Sequence, residues 1–167
     1  MQIRRLSKPD APLLQECRLA GLSESPEAFL ATYADIVGTP LADVERDLED
    51  PNILYLGAFD HSNLVGMIRF VRPDRRSRRH TAEVRSVYVR ASHRGKGIAR
   101  RLLSQLMEES RQIGLESLTL SVLANNGPAR HLYETLGFSV HGREPKAIKK
   151  GNEYIDQLLL WRDLAAS

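Results

Sequence analysis

The chain has 167 residues, 42% hydrophobic and 27% charged, the composition of an ordinary globular protein long enough to bury one core. No apolar run approaches the roughly 18 residues of a membrane span, the stretch MQIRRLSKPDAPLL lacks the apolar centre of a secretory signal, and the lone Cys17 excludes an internal disulfide framework. A single cytoplasmic domain over residues 1–167 is expected, with a net charge of +3 whose cations crowd into 69–101, where only Asp74 and Glu83 oppose them.

Residues 3–6 read as a short strand, after which Ser7 or Asp10 can cap a helix carrying Leu13, Leu14 and Cys17 on one face. Cys17 is expected to pack there as a small hydrophobe. A second helical region covers 25–35 (SPEAFLATYAD) and resumes over 41–48 after a break at Gly38 and Pro40. ILYLGAF (53–59) and LVGMIRFV (64–71) read as strands joined by a hairpin turn at 60–63, and AEVRSVYV (82–89) as another. The spacing then predicts a helix over 98–113, with Ile98, Leu102, Leu103, Leu106, Met107 and Ile113 in one core-facing stripe and Gly114 ending it. LESLTLSV (115–122) alternates as a strand, NNGP breaks the chain, and Pro128 opens a short helix that Gly137 closes. Strands at 138–142 and 154–162 complete a mixed α/β or α+β sheet domain, with a β–α–β–α–β run in its second half.

The cations from Arg69 to Arg101 suggest an anionic partner: a phosphate ligand, an acidic substrate or nucleic acid. A solvated basic loop accounts equally well for 75–79. More specific is VYVRASHRGKGIARRLL, which runs from strand through a glycine turn into a helix. A helix N-terminus carries unpaired N–H groups and a partial positive charge. Gly95 and Gly97 allow close backbone approach, so that successive amides can face one anion, and Arg94 and Lys96 add charge. The plain alternative is a tight connection with no ligand. The P-loop pattern GxxxxGK[ST] is absent, and Arg100 stands where a dinucleotide fingerprint needs its third glycine.

A second segment, SVLANNGPARHLYETLGF, follows about thirty residues later. Together the two resemble the GNAT superfamily of N-acetyltransferases over residues 53–162. Arg94, Gly97 and Ala99 match its acyl-coenzyme A signature R/Q-x-x-G-x-G/A. Asn126, Ala129, Tyr133, Gly137 and Phe138 match its pattern N-x-x-A-x-x-x-Y-x-x-x-G-F. SPEAFLATYAD is similar, less specifically, to the N-terminal helical region of many bacterial members.

The resemblance implies a mostly antiparallel central sheet, flanked by helices and splayed open between the fourth and fifth strands, 82–89 and 115–122. The pantetheine arm of acetyl-CoA would lie in the splay, against the backbone of Val87, Tyr88 and Val89, with Asn126 and Ala129 beside it. The pyrophosphate would sit on the N–H groups of Arg94, Gly95, Lys96, Gly97, Ile98 and Ala99. Tyr133 matches the family's general acid, which protonates the coenzyme sulfur, and the Val87 N–H would polarise the thioester carbonyl. Glu83 matches a strand position that some members use as the base, directly or through water. Each also has a structural alternative: Asn126 as a turn or helix cap, Tyr133 as a packed side chain, Glu83 as the partner of Arg69 or Arg85. Ser86 and the Tyr88 side chain read as structural.

Direct acetyl transfer to a primary amine in a ternary complex is therefore the expected activity. A non-catalytic acyl-CoA-binding domain of the same fold is the alternative. No metal is expected, because no pair among the five histidines has ligand spacing with a third donor. Neither a nucleic-acid nor a membrane partner is expected, since the 72–79 loop lacks aromatic interleaving or a reading module. The acceptor, a small molecule or peptide amine, would enter between 25–33 and the loop joining the last two strands, 141–154. Those cations, with the 71–80 loop at the border, would repel a polyamine and tolerate an amine bearing a carboxylate or phosphate. The final strands could pair across a homodimer.

Overall fold

The computed structural model describes residues 1–26, 29 and 32–165. Its strands are β1 (Gln2–Arg5), β2 (Ile53–Asp60), β3 (Asn63–Val71), β4 (Thr81–Val89), β5 (Ser117–Leu123), β6 (Ser139–Lys150) and β7 (Glu153–Asp163). They form one sheet in the order β1-β2-β3-β4-β5-β7-β6, antiparallel at every pairing except β4 with β5. The helices are α1 (Ala11–Glu24), α2 (Tyr33–Val37), α3 (Leu41–Glu49), α4 (Ile98–Gln112) and α5 (Gly127–Thr135). Among the described residues no helix is long and apolar enough to cross a membrane.

Apolar patterning decides which face each strand covers. The continuous run of β2 is buried on both sides, as a central strand between helical layers requires. In β5, Leu118, Leu120 and Val122 point into the core shared with α4 and α5, while Thr119 and Ser121 alternate to the opposite face. The α4 stripe of Ile98, Leu102, Leu103, Leu106 and Met107 is buried in that core. Each such side chain contributes roughly 1.5–3 kcal/mol. A second core beneath α1 and α3 joins Leu14, Cys17 and Val44 to Tyr55, Met67 and Tyr88 of the sheet. Cys17 is fully buried there and desolvation pushes its thiol up to about 12, so it packs as an inert hydrophobe.

Two sequence expectations change. Of the helix expected over 25–35, residues 27, 28, 30 and 31 lie outside the described residues, and the described helix is Tyr33–Val37, whose start Thr32 and Asp35 cap reciprocally. The expected loop 141–154 is a β-hairpin, because β6 runs on to Lys150 and turns at Gly151 and Asn152. Its irregular register explains the difference. Pro145 and Lys146 lie in a bulge between the pairs Glu144/Gln157 and Ile148/Ile155, on an edge strand, where a residue without an N–H is tolerated. Asp156 holds the bulge by accepting from Arg143 Nε at 2.7 Å and the Lys146 N–H at 2.8 Å.

The N-terminus is tied down by Asp10, which accepts from Arg4 at 2.8 and 2.9 Å and from the Ser7 N–H at 2.8 Å. The Arg4 guanidinium, first, and these hydrogen bonds hold its carboxyl down at about 2. A depressed carboxyl stabilises the fold above its unfolded value of 3.8, and that contribution is lost as pH falls through about 2. Asp10→Asn is therefore expected to cost about 1–2 kcal/mol at pH 7 and to flatten the stability profile between pH 4 and 2, measured by urea denaturation across that range.

Candidate active site

The parallel pairing of β4 and β5 lasts for three residue pairs, Thr81/Ser117, Ala82/Leu118 and Glu83/Thr119. Beyond them β4 stays bonded to β3 as far as Val89, and β5 stays bonded to β7 as far as Leu123, so the two strands part along their shared edge. A bulge in β4 marks the divergence. The β3–β4 register shifts between the Met67/Tyr88 and Arg69/Arg85 pairs, and Ser86 adopts a left-handed φ of 57°. A cavity of about 510 Å³ fills the gap, with Val84–Val87 on one wall and Leu120–Leu123 on the other.

Directly after β4 the chain makes the glycine turn. Gly95 and Gly97 have φ of 74° and 73°, and nothing lies within 4 Å of where their side chains would start. The left-handed geometry favours glycine, and the open space leaves the helix start exposed. The first backbone bond of α4 runs from the Arg101 N–H to the Gly97 carbonyl at 3.1 Å. Among the described residues, the N–H groups of Gly95 to Arg100 find no protein acceptor. Of the N–H groups expected from the sequence to face an anion, Arg94 to Ala99, that of Arg94 is already bonded to the Ala91 carbonyl at 3.3 Å, and those from Gly95 on are open. The Arg94 guanidinium does not join them. Its Nε donates to the Val89 carbonyl at 2.9 Å and its Nη2 to Ser25 Oγ at 2.6 Å, tying the turn to the segment after α1. His93 ties the turn to the β2–β3 hairpin through Asp60, 3.1 Å away.

On the β5 side, Asn126 accepts from the Ala129 N–H at 3.3 Å and so caps α5 while lining the cavity with Ala129 and Tyr133. Tyr133 is 7% exposed and packs edge-on against Phe138, with ring centroids 6.1 Å apart. Its hydroxyl makes no hydrogen bond with any described residue, and burial pushes it up to about 12. Tyr133 thus lines the cavity with a phenol that stays protonated at neutral pH.

Val87 is half-buried beside the cavity and Val89 is buried. The Tyr88 side chain turns to the opposite face, where it donates to Glu24 Oε2 at 2.7 Å; burial, then this carboxylate, raises its pKa. Only the Tyr88 backbone is left for the cleft. Glu83 lines the cavity and accepts from Arg85 Nη2 at 2.6 Å, the pairing anticipated as its structural alternative.

Among the described residues, Arg18, Arg69, Arg85, Lys149 and Lys150 line the same cavity against one carboxylate, Glu83. Arg69 donates to the Tyr55 hydroxyl at 3.0 Å, while its buried Nε has no hydrogen-bond partner among the described residues. The two segments expected to flank the acceptor both border the cavity. Pro26, Phe29, Thr32 and Tyr33 border the cavity from one side and Ile148 to Lys150 from the other, though the latter belong to a hairpin. Sequence reasoning missed Ser86, Arg18 and Arg69 as cavity residues. The signal for Arg69 is a charge inside an otherwise apolar strand; Ser86 leaves none. Chemically, the cavity is lined by a phenol, a carboxylate and several cations, and the row of free amides follows β4 at the start of α4.

Residues 14–138 match the acetyltransferase (GNAT) family. An L-amino acid N-acyltransferase of Escherichia coli is 38% identical over 78 residues, 47% of this chain and 45% of that relative, so the match spans under half the relative's length. The structure of a ribosomal-protein-alanine N-acetyltransferase from Brucella melitensis superposes with a TM-score of 0.84 at 25% identity, over 98% of this chain and 99% of that one. An acetyltransferase from Salmonella typhimurium, solved with its cofactor acetyl-CoA, gives a TM-score of 0.83 at 25% identity, over 98% of this chain and 94% of that one.

The bulge carries its own test. A β-branched side chain at the left-handed Ser86 position is strained, so Ser86→Val should lower stability by about 1–2 kcal/mol, whereas Ser86→Gly should stay within about 0.5 kcal/mol of the parent. Thermal and urea unfolding of the two variants measure the difference, and equal stabilities would remove the backbone argument.

Proposed function

Because the chain belongs to the acetyltransferase (GNAT) family, we propose that it is an N-acetyltransferase, moving an acetyl group from acetyl-CoA directly to a primary amine in a ternary complex. The observation that carries this reading is the Tyr133 hydroxyl, unpartnered by any described residue and opening on the cavity where β4 and β5 part. A module that only bound an acyl-CoA would have no use for an enclosed proton donor at that place.

Acetyl-CoA supplies an activated thioester when bound. The free N–H groups of Gly95 to Arg100 suit its pyrophosphate, and the unpaired edges of β4 and β5 suit its pantetheine arm, with Val87, Tyr88 and Val89 contributing backbone and Asn126 and Ala129 flanking it. In this reading the Val87 N–H polarises the thioester carbonyl. Glu83, whose backbone lies four residues before Val87 in β4, reaches the amine through bridging water, not by the direct contact also expected of it, and takes the proton that the amine loses as its nitrogen bonds to the acetyl carbon. Tyr133 donates its proton to the departing sulfur and is reprotonated from solvent. Burial keeps the phenol protonated at neutral pH; because a phenol raised to about 12 is a weaker acid than a thiol, its proton passes to the sulfur only as the C–S bond breaks, drawn by collapse of the tetrahedral adduct to the amide.

The reading includes one domain over the chain, a cytoplasmic setting, and a small-molecule or peptide amine as acceptor. It also includes a homodimer. β6 is a twelve-residue edge strand beside the half-exposed Trp161 of β7, and pairing along it would satisfy its outward backbone groups.

Coenzyme A thiol release over an amine panel, with product mass, tests the activity. Tyr133→Phe should lower kcat by about 100-fold or more while acetyl-CoA affinity stays within about threefold. Since Tyr133 keeps its proton up to about 12, the parent rate should show no falling limb from it below about pH 10. Coenzyme binding with no turnover of any amine, and no effect of Tyr133→Phe, would favour a binding module.

A further inference from the structure

A second cavity, of about 430 Å³, adjoins the first, and Glu83 and Arg85 line both. Its far wall is the arginine-rich connection between β3 and β4, which the acetyl-transfer chemistry leaves unused. The arginines of that connection divide by task. Arg72 Nε donates to the Arg79 carbonyl at 2.7 Å, and Arg79 Nη1 donates to Asn52 Oδ1 at 3.0 Å. Asn52 in turn donates to Asp74 at 2.8 Å. These bonds shape the loop. Arg75 and Arg78 do no such work: both line the second cavity, and neither side chain has a hydrogen bond or ion pair with any described residue. Arg85 adds a third guanidinium, with Glu83 as its one counter-ion among the described residues.

Three guanidinium groups around one concavity, against one carboxylate, make an anion-seeking surface, and a concave wall focuses that potential. The position matters as much as the charge. From Ser86 and Val87, at the level of the acetyl transfer, to Glu83 at the second cavity is three to four residues of strand, roughly 10–13 Å. We infer that the second cavity is a distal anion subsite for the acceptor, so that the substrate is an elongated primary amine carrying a carboxylate or phosphate roughly 10–13 Å from its nitrogen. The inference rests on the acetyl-transfer reading, which places the amine at Val87. It predicts a different substrate shape from a free α-amino acid, in which amine and carboxylate share one carbon.

Short C-terminally amidated peptides measure the spacing, because an extended chain advances about 3.3–3.6 Å per residue and brings an acid at the third or fourth residue to the subsite. Glu or phosphoserine there should raise kcat/KM about 10-fold or more over Gln at the same position, chiefly through KM, with the two acids separating carboxylate from phosphate preference. In Arg75→Ala/Arg78→Ala the acid-to-neutral ratio should fall towards one, and in Arg78→Glu it should invert. Equal rates for acidic and neutral peptides, or free amino acids outperforming every peptide, would overturn the inference. An N-acetylated acidic peptide, which cannot react, should bind the parent about 10-fold more tightly than the double variant in calorimetry. Equal binding would overturn the subsite by itself. Failure of all amines to release thiol would overturn the acetyl-transfer reading instead, and the blocked peptide would still report on the subsite.

Discussion

Everything at this site follows from the early end of one strand pairing. β4 and β5 share three residue pairs and then separate, although each remains bonded along its other edge. Neither strand can swing back to close the gap without breaking its outer ladder. Backbone groups facing the gap therefore need another partner, since unpaired N–H and C=O groups in an enclosed place are costly. An extended, amide-bearing ligand satisfies that requirement better than a compact one. The Ser86 bulge lies where the strands part, and two helices follow them: α4, whose start carries the row of free amides, and α5, whose cap Asn126 and Tyr133 line the cavity.

Charge is divided between the two sides of the opening. On the coenzyme side the anion-facing groups are backbone dipoles, and Arg94, the cation nearest to them in sequence, is spent on the Val89 carbonyl and Ser25. On the acceptor side the charges are side chains, five cations against Glu83 in the main cavity, with Arg75 and Arg78 in its neighbour. Amides bind an anion by fixed geometry and discriminate little by total charge. Guanidinium groups act at longer range and select acceptors by charge and reach. On the reading proposed above, the donor is recognised by shape and the acceptor by electrostatics.

The legible features were the local ones. Gly95 and Gly97 before an apolar helical stripe, and Asn126 seven residues before Tyr133, are written in contiguous sequence, and the turn, the cap and the enclosed phenol sit where those residues imply. Ser86 was illegible because serine has no preference for a left-handed φ; the bulge arises from register against β3, a property of two distant segments. The 141–154 hairpin was hidden by Gly142, Pro145 and a run of lysines, which read as loop but are tolerated on an edge strand. Arg69 and Arg85 join one wall because β3 and β4 place them opposite each other, and no spacing along the chain encodes that.

Amide hydrogen exchange with and without coenzyme A, read residue by residue, tests the central claim most directly. The claim is that one ligand bridges the parted strands and the glycine turn. It predicts new protection at Gly95 to Arg100, and along the facing edges of β4 after Glu83 and β5 after Thr119, with little change at β1 or α3. Protection confined to the arginine-rich connection, or no protection at the glycine turn, would contradict it.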